Sequence, residues 1–371
     1  MPHIYFDHNA TTPLAKQAAM AMEALQAYPL NASSVHAGGR YARQQVEKSR
    51  QSVMKAVGGE SLRLIFTATG TEANHLALCG THATQILVSA IEHPSVLKAS
   101  PHAEKIPVTT DGIIDLSALE QQLDRIGPQP YGHVLVSVML ANNETGVIQP
   151  LTKISELAHH YGAIVHTDAV QALGKIPLDM AALGVDMMTI SGHKCGGPQG
   201  VAALLVNKAI TLHPLLRGGG QEQGYRAGTE NVMAIAGFGA VVQEITPGAV
   251  LPMDACQVLR SVLEQRIQAL TKQPVIVGAN QARLPNTSCI IMPGVTSETQ
   301  MIEFDLKGFA VSAGSACSSG KITSSHVLAA MGLPQEDAMC AIRVSLGLAN
   351  THAEIEQFVA AWKTLYLRVH A

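Results

Sequence analysis

Between residues 62 and 206, short apolar runs alternate with stretches of helical pattern, and that alternation leaves few architectures open. The runs occupy 62–67, 86–89, 133–138, 164–167, 187–190 and 201–206. Each is too short for an ordinary helix, and together they lack the regular polar alternation of strands with one wet face. Strands buried on both faces read this way, and their sheets are mostly parallel with helices on both sides. An α/β fold is therefore expected.

The flanking segments extend this plan. Residues 13–27 and 36–57 read as helices, the second stopping at Gly58-Gly59, and 31–34 as a turn-rich loop between them. A glycine-rich connection over 217–228 is too long for a hairpin and has the character of a functional loop. Helices are expected over 229–246 and 255–270. The remainder reads as a separate α+β unit with strands at 286–292 and 341–345 and helices at 297–307 and 351–367. A chain of 371 residues has room for a large core and a second domain.

Composition excludes several classes. A net charge of −3 with scattered basic residues gives no electrostatic footprint for nucleic acid or an anionic membrane. No apolar run approaches the roughly 18 residues of a membrane span. His3, Asp7 and His8 stand where a secretory signal would be apolar, so a cytoplasmic protein is expected. The six cysteines form no Cys-x-x-Cys pair, and the sixteen histidines are dispersed. His159 and His160 are helical neighbours whose side chains diverge, so no metal site is expected.

Two of the expected strands end in reactive side chains. Asp168 and Gln171 follow the run 163–167, and Ser191-Gly192-His193-Lys194 follows the run 186–190. Neighbouring parallel strands would bring a carboxylate, an amide, a hydroxyl, an imidazole and an amine to the sheet edge where open α/β folds bind ligands. A lysine there can condense with an aldehyde, and an acid beside it can keep a pyridine nitrogen protonated. That is the equipment for holding pyridoxal 5′-phosphate. Taken singly, Lys194 reads as a surface residue and Asp168 as a helix N-cap.

Three further positions invite chemistry. Arg343 lies inside the apolar run 341–345, where an unpaired guanidinium is costly to bury, so it serves either a carboxylate ligand or an intrachain salt bridge. Thr71 stands at the start of a helix, as an anion-binding donor or as the N-cap. Cys317 sits in a run of small residues from Ser312 to Gly320, a loop able to swing a thiol; the alternative is a bystander surface thiol.

Five motifs in order complete the picture: residues 5–13 (Tyr-Phe-Asp-His-Asn-Ala-Thr-Thr-Pro), Gly70-Thr71-Glu72-Ala73-Asn74, Asn142-Asn143-Glu144-Thr145-Gly146, Arg226-Ala227-Gly228-Thr229-Glu230-Asn231 and Gly314-Ser315-Ala316-Cys317. With them the chain resembles, nearly end to end, the cysteine desulfurases of the class V aminotransferase group. The resemblance implies a fold-type I pyridoxal-phosphate enzyme with a large domain over 14–255 carrying a mostly parallel seven-stranded sheet. A smaller α+β domain would combine 1–13 and 256–371. Lys194 would bind the cofactor covalently and move the substrate α-proton. Asp168 would face the pyridine nitrogen, Gln171 the phenolic oxygen and His93 the ring face. Gly70, Thr71, Ser191 and His193 would cradle the phosphate, joined by Thr229 from the other subunit of a homodimer with shared active sites. Arg343 would take the substrate carboxylate, and Asn143 would sit between the cofactor and that carboxylate, binding both. Cys317 would accept the sulfur of L-cysteine as a persulfide, releasing L-alanine, and pass it to a sulfur-acceptor protein. That acceptor would be an iron–sulfur scaffold or a tRNA-thiolation carrier.

The sequence departs from the family pattern in two places. The characteristic C-terminal tail of the housekeeping scaffold-serving members is not present in these 371 residues. Cys195, Gly196 and Gly197 are smaller than the residues usual there and are expected to loosen the floor of the site. Selenocysteine lyase and a class V aminotransferase use the same apparatus and stand as rival readings.

Overall fold

The computed structural model describes residues 4–243, 245, 253–271, 273, 275–314 and 324–370, and Cys317 lies outside them. In chain order the strands are β1 (Ile4–Tyr5), β2 (Arg63–Thr67), β3 (Gln85–Ser89), β4 (Glu104–Ile106), β5 (Val134–Ser137), β6 (Ile164–Asp168), β7 (Met187–Ser191), β8 (Ala202–Val206), β9 (Thr287–Ile291), β10 (Phe309–Ala310), β11 (Ser312–Ala313) and β12 (Ala341–Ser345).

Seven of them form one sheet in the order β2-β8-β7-β6-β5-β3-β4. The pairs β7/β6, β6/β5, β5/β3 and β3/β4 are parallel, while β8 runs antiparallel to both its neighbours. The expected α/β fold with a mostly parallel seven-stranded sheet is thus found. Alternate residues of each strand enter opposite cores. Leu64, Phe66, Val165 and Leu205 pack on one face, and Ile65, Ile164, Leu204 and Val206 on the other. Burial on both faces explains the continuous apolar runs. The edge strand β4 was not expected. Its sequence Glu104-Lys105-Ile106 is short and charged, as edge strands that resist further pairing are.

The helix Ala37–Ala56 buries Ala42, Val46, Val53 and Ala56 along one stripe. It packs against the almost wholly buried helix Val232–Val242. At the crossing, a Cβ on Gly239 would lie 2.5 Å from the Ser49 Oγ and 2.8 Å from its Cα, so only glycine admits this approach. Arg50, on the same helix, clamps Glu222 in a buried two-point ion pair at 2.8 and 2.9 Å. The Glu222 carboxylate also accepts from the Phe66 backbone N–H at 2.8 Å. Three segments meet there: the helix, β2 and the glycine-rich connection, whose Glu222 and Gln223 have φ of 46° and 58°. Replacing Arg50 with methionine leaves a carboxylate buried without its cation. The expected loss is ~3–5 kcal/mol, measured by urea unfolding against wild type.

A second core gathers Phe6, Phe304, Phe309, Phe358 and Trp362 with Leu263, Ile342 and Val344. Here β12 lies between β11 and β9, antiparallel to both, while β1 pairs in parallel with β10. The N-terminal segment then crosses to the large sheet, where the Thr12 N–H and hydroxyl both donate to the His193 carbonyl. No helix among the described residues is long and apolar enough to cross a membrane.

Candidate active site

Because β6 and β7 are parallel, Asp168 and Ser191 end their strands at the same sheet edge. The chain after Ser191 tightens into the 3-10 turn Gly192–Lys194, delivering Lys194 to that edge. A cavity of about 790 Å³ opens there between the sheet and the C-terminal unit. Gly70, Thr71, His93, Asn143, Asp168, Gln171, Ser191, His193, Lys194 and Arg343 all line it.

Lys194 donates its Nζ to the carbonyls of Asn9 and Ala10, both at 2.6 Å. Burial first and then Arg343 lower its pKa to about 8, against the opposing pull of Asp7 and Asp168. Such an amine is available as a nucleophile or base far more often than a surface lysine. Asp168 is held rather than free. Its Oδ1 accepts from the Val170 N–H at 3.0 Å and its Oδ2 from the Asn74 amide at 2.8 Å. No helix follows it, so the N-cap reading of Asp168 fails and a local side-chain turn takes its place.

Asn74 extends the arrangement. Its Nδ2 also donates to the Ser95 Oγ at 2.8 Å, and the Ser95 Oγ lies 2.8 Å from the His93 Nδ1. The Ser95 N–H donates to that same nitrogen, so Nδ1 is an acceptor and the ring proton sits on Nε2. Burial lowers the His93 pKa, keeping the imidazole neutral. A bonded chain thus runs from His93 through Ser95 and Asn74 to Asp168.

Thr71 is not the helix cap. Thr69 takes that role, accepting from the Glu72 N–H at 3.1 Å, and Thr71 remains in the first turn of Gly70–Gly80 facing the cavity. The Ser191 Oγ is buried with no hydrogen-bond partner among the described residues. The His193 Nδ1 lies 3.2 Å from the Thr11 Oγ1, and burial followed by the Lys194 charge lowers its pKa to about 4.

The intrachain salt bridge of one Arg343 reading is found. Its NH2 meets Asp7 Oδ1 at 2.6 Å, its NH1 donates to the Asn143 carbonyl at 3.0 Å, and it lines the cavity. Its Nε is buried without a partner among the described residues. The expected loosening at Cys195-Gly196-Gly197 is not observed. Cys195 is buried against the Gly192 carbonyl, which also accepts the N–H groups of Cys195 and Gly197. Burial raises the Cys195 thiol pKa to about 12, so it is inert. Thr229 stands apart, lining a separate depression of about 260 Å³ with Arg226 and Gly200.

Several participants were missed in the sequence. Asn9, Asn74, Lys175 and His326 all reach the site region, the last lying at the start of the helix His326–Ala330 with its Nε2 donating to the Glu92 carbonyl at 2.9 Å. The Ser325-His326 pair shortly after Cys317 in the sequence was the available signal for His326; Asn9 and Asn74 had none beyond their motifs, and Lys175 lies in no motif.

Comparison with known proteins follows the same lines. The family described as aminotransferase class-V matches residues 4–358. A cysteine desulfurase of Cereibacter sphaeroides is 39% identical, aligned over 97% of this chain and 94% of its own. Cysteine desulfurase IscS of Dictyoglomus turgidum is 38% identical over 95% and 91%. Among solved structures, a NifS-like protein from Rickettsia africae superposes with a TM-score of 0.90 at 38% identity, covering 98% of this chain and 99% of that one.

Proposed function

The chain belongs to the aminotransferase class-V family, and we propose that it is a cysteine desulfurase using pyridoxal 5′-phosphate. It converts L-cysteine to L-alanine and places the sulfur on Cys317 as a persulfide. The observation that carries the reading is the meeting of Lys194, Asp168 and Arg343 in one cavity at the ends of adjacent parallel strands.

The residues present fit the cofactor. A buried, unpartnered Ser191 hydroxyl and a Thr71 hydroxyl released from capping stand beside the N-terminal turn of Gly70–Gly80. A helix start of this kind favours a phosphate. At Gly70 a Cβ would sit 3.3 Å from the Val170 methyl and 3.8 Å from the Ser191 Cβ, filling part of that cradle. His193 and, in a homodimer with shared sites, Thr229 of the partner subunit complete it. Asp168, fixed by Asn74 and Val170, suits a cationic ring nitrogen, and Gln171 suits the phenolic oxygen. When bound, the cofactor supplies an aldehyde for the substrate amine and a cationic ring that accepts electron density.

The protein groups do the rest. Arg343, aimed by Asp7 and Asn143, binds the substrate carboxylate. Lys194 removes the proton at the substrate α-carbon and returns one later. His93, neutral and held by Ser95, would take the ring face of the bound cofactor. Cys317, as thiolate, attacks the substrate sulfur: an S–S bond forms, the C–S bond breaks, and its electron pair remains on carbon to be protonated. The products are alanine and the Cys317 persulfide, which a sulfur-acceptor protein discharges, either an iron–sulfur scaffold or a tRNA-thiolation carrier. The setting is cytoplasmic.

The test is product stoichiometry. With L-cysteine, cofactor and a thiol reductant, alanine and sulfide are expected in equal amounts. A keto acid in place of alanine would establish an aminotransferase instead.

A further inference from the structure

Lys175 is a buried lysine to which the desulfurase chemistry above gives no task. Its Nζ donates to the Asn9 Oδ1 and the Gln171 Oε1, both at 2.8 Å. No carboxylate forms a salt bridge with it among the described residues. A charge placed there is costly, and burial, with Lys194 and Arg343 close by, lowers its pKa to about 7. A lysine that only filled space would be replaced at less cost by methionine, so the use of its donors calls for an account.

An ammonium group donates and never accepts. In that charged form both contacting atoms are amide oxygens, and this sets the direction of two side chains at once. The Gln171 Nε2 is turned to the Asn9 carbonyl at 3.0 Å, and Gln171 lines the cavity. The Asn9 Nδ2 is turned to the Thr287 Oγ1 at 2.9 Å and the Asn143 carbonyl at 3.3 Å. Without Lys175, the Asn9 carbonyl alone orients the Gln171 amide, and one of the two contacts that set its direction is lost.

We infer that Lys175 is a positioning residue that fixes the Gln171 amide with its NH2 end toward the cavity, presenting a donor to an anionic oxygen there. It acts through Gln171 and touches no ligand itself. The inference rests on the cofactor reading, in which that oxygen is the phenolate of pyridoxal phosphate. A reversed amide would set a carbonyl oxygen against the phenolate, exchanging attraction for repulsion.

A double-mutant cycle tests it. Lys175→Met, Gln171→Ala and the double variant are stripped of cofactor and titrated with pyridoxal phosphate, reading the dissociation constant and the absorbance maximum of the bound form. Lys175→Met is expected to weaken binding about tenfold, the value of one hydrogen bond to a charged group, and to shift the maximum as Gln171→Ala does. In the double variant the loss is expected to be no greater than in Gln171→Ala alone. A purely structural lysine would lower stability without moving the absorbance, and its effect would multiply with that of Gln171→Ala. Either that pattern or unchanged binding in Lys175→Met overturns the inference. Should Lys175→Met fail to fold, Lys175→Gln carries the same cycle, with a smaller loss and the same non-additivity. Failure of the unaltered chain to bind pyridoxal phosphate would instead remove the cofactor reading, and this inference with it.

Discussion

Lys194→Ala is expected to abolish alanine formation, with a loss of at least ~10⁴-fold, the upper end of what a positioned acid–base group contributes. The same variant is expected to lose covalent retention of pyridoxal phosphate, so borohydride reduction followed by peptide mapping should label residue 194 in the wild type and nothing in the variant. The environment of Lys194 adds a pH signature. Burial first, then Arg343, brings the amine down to about 8, against an ordinary lysine near 10.4. Only the neutral amine attacks an aldehyde. The rate of cofactor capture is therefore expected to rise about tenfold per pH unit and level off above about pH 8, two units earlier than for an exposed lysine. Capture that still climbs steeply at pH 10 would place the reactive amine elsewhere.

The parts of this site that could be read in the sequence share a property: each announces itself by a contradiction within a few residues. Asp168 is a charged group closing one apolar strand, Lys194 one three residues beyond another, and Arg343 is a guanidinium inside a third. The central strands were legible for a related reason, since burial on both faces leaves no polar alternation. What stayed hidden depends on contacts that no local window contains. Asn74 meets Asp168 across 94 positions, and Lys175 meets Asn9 across 166. Nothing about Asn9 in its own motif says that its carbonyl will hold the reactive amine. Thr71 shows the finer limit. Two threonines flank Gly70, either could cap the helix, and only the backbone direction at Thr69 decides which one keeps a free hydroxyl. Strand β4 was lost because its charge, useful at a sheet edge, hides its extended form.

Cys317→Ala is expected to stop sulfur release from L-cysteine while leaving cofactor binding intact, and the pairing of those outcomes is what makes it informative. The loss of turnover should be roughly 10³-fold or more, within the range recorded when a nucleophile is removed. The remaining cysteines offer no substitute. Cys195 and Cys289 are buried, with thiols raised to about 12 by that burial, and Cys256 and Cys340 are buried as well. Cys79 is exposed, but its Sγ donates to the Ala99 carbonyl and its pKa is raised, and it does not line the cavity. A thiolate is the competent attacker, so none of these is poised to take over. Selenocysteine separates the rival chemistry. If selenide release from selenocysteine survives in Cys317→Ala while sulfide release collapses, the apparatus serves both amino acids and only sulfur removal needs the thiol. If both continue at wild-type rates, Cys317 is a bystander and the persulfide route is wrong. Mass spectrometry of the wild type after one turnover without reductant supplies the direct reading, since one added sulfur on the peptide containing residue 317 is expected, and on no other.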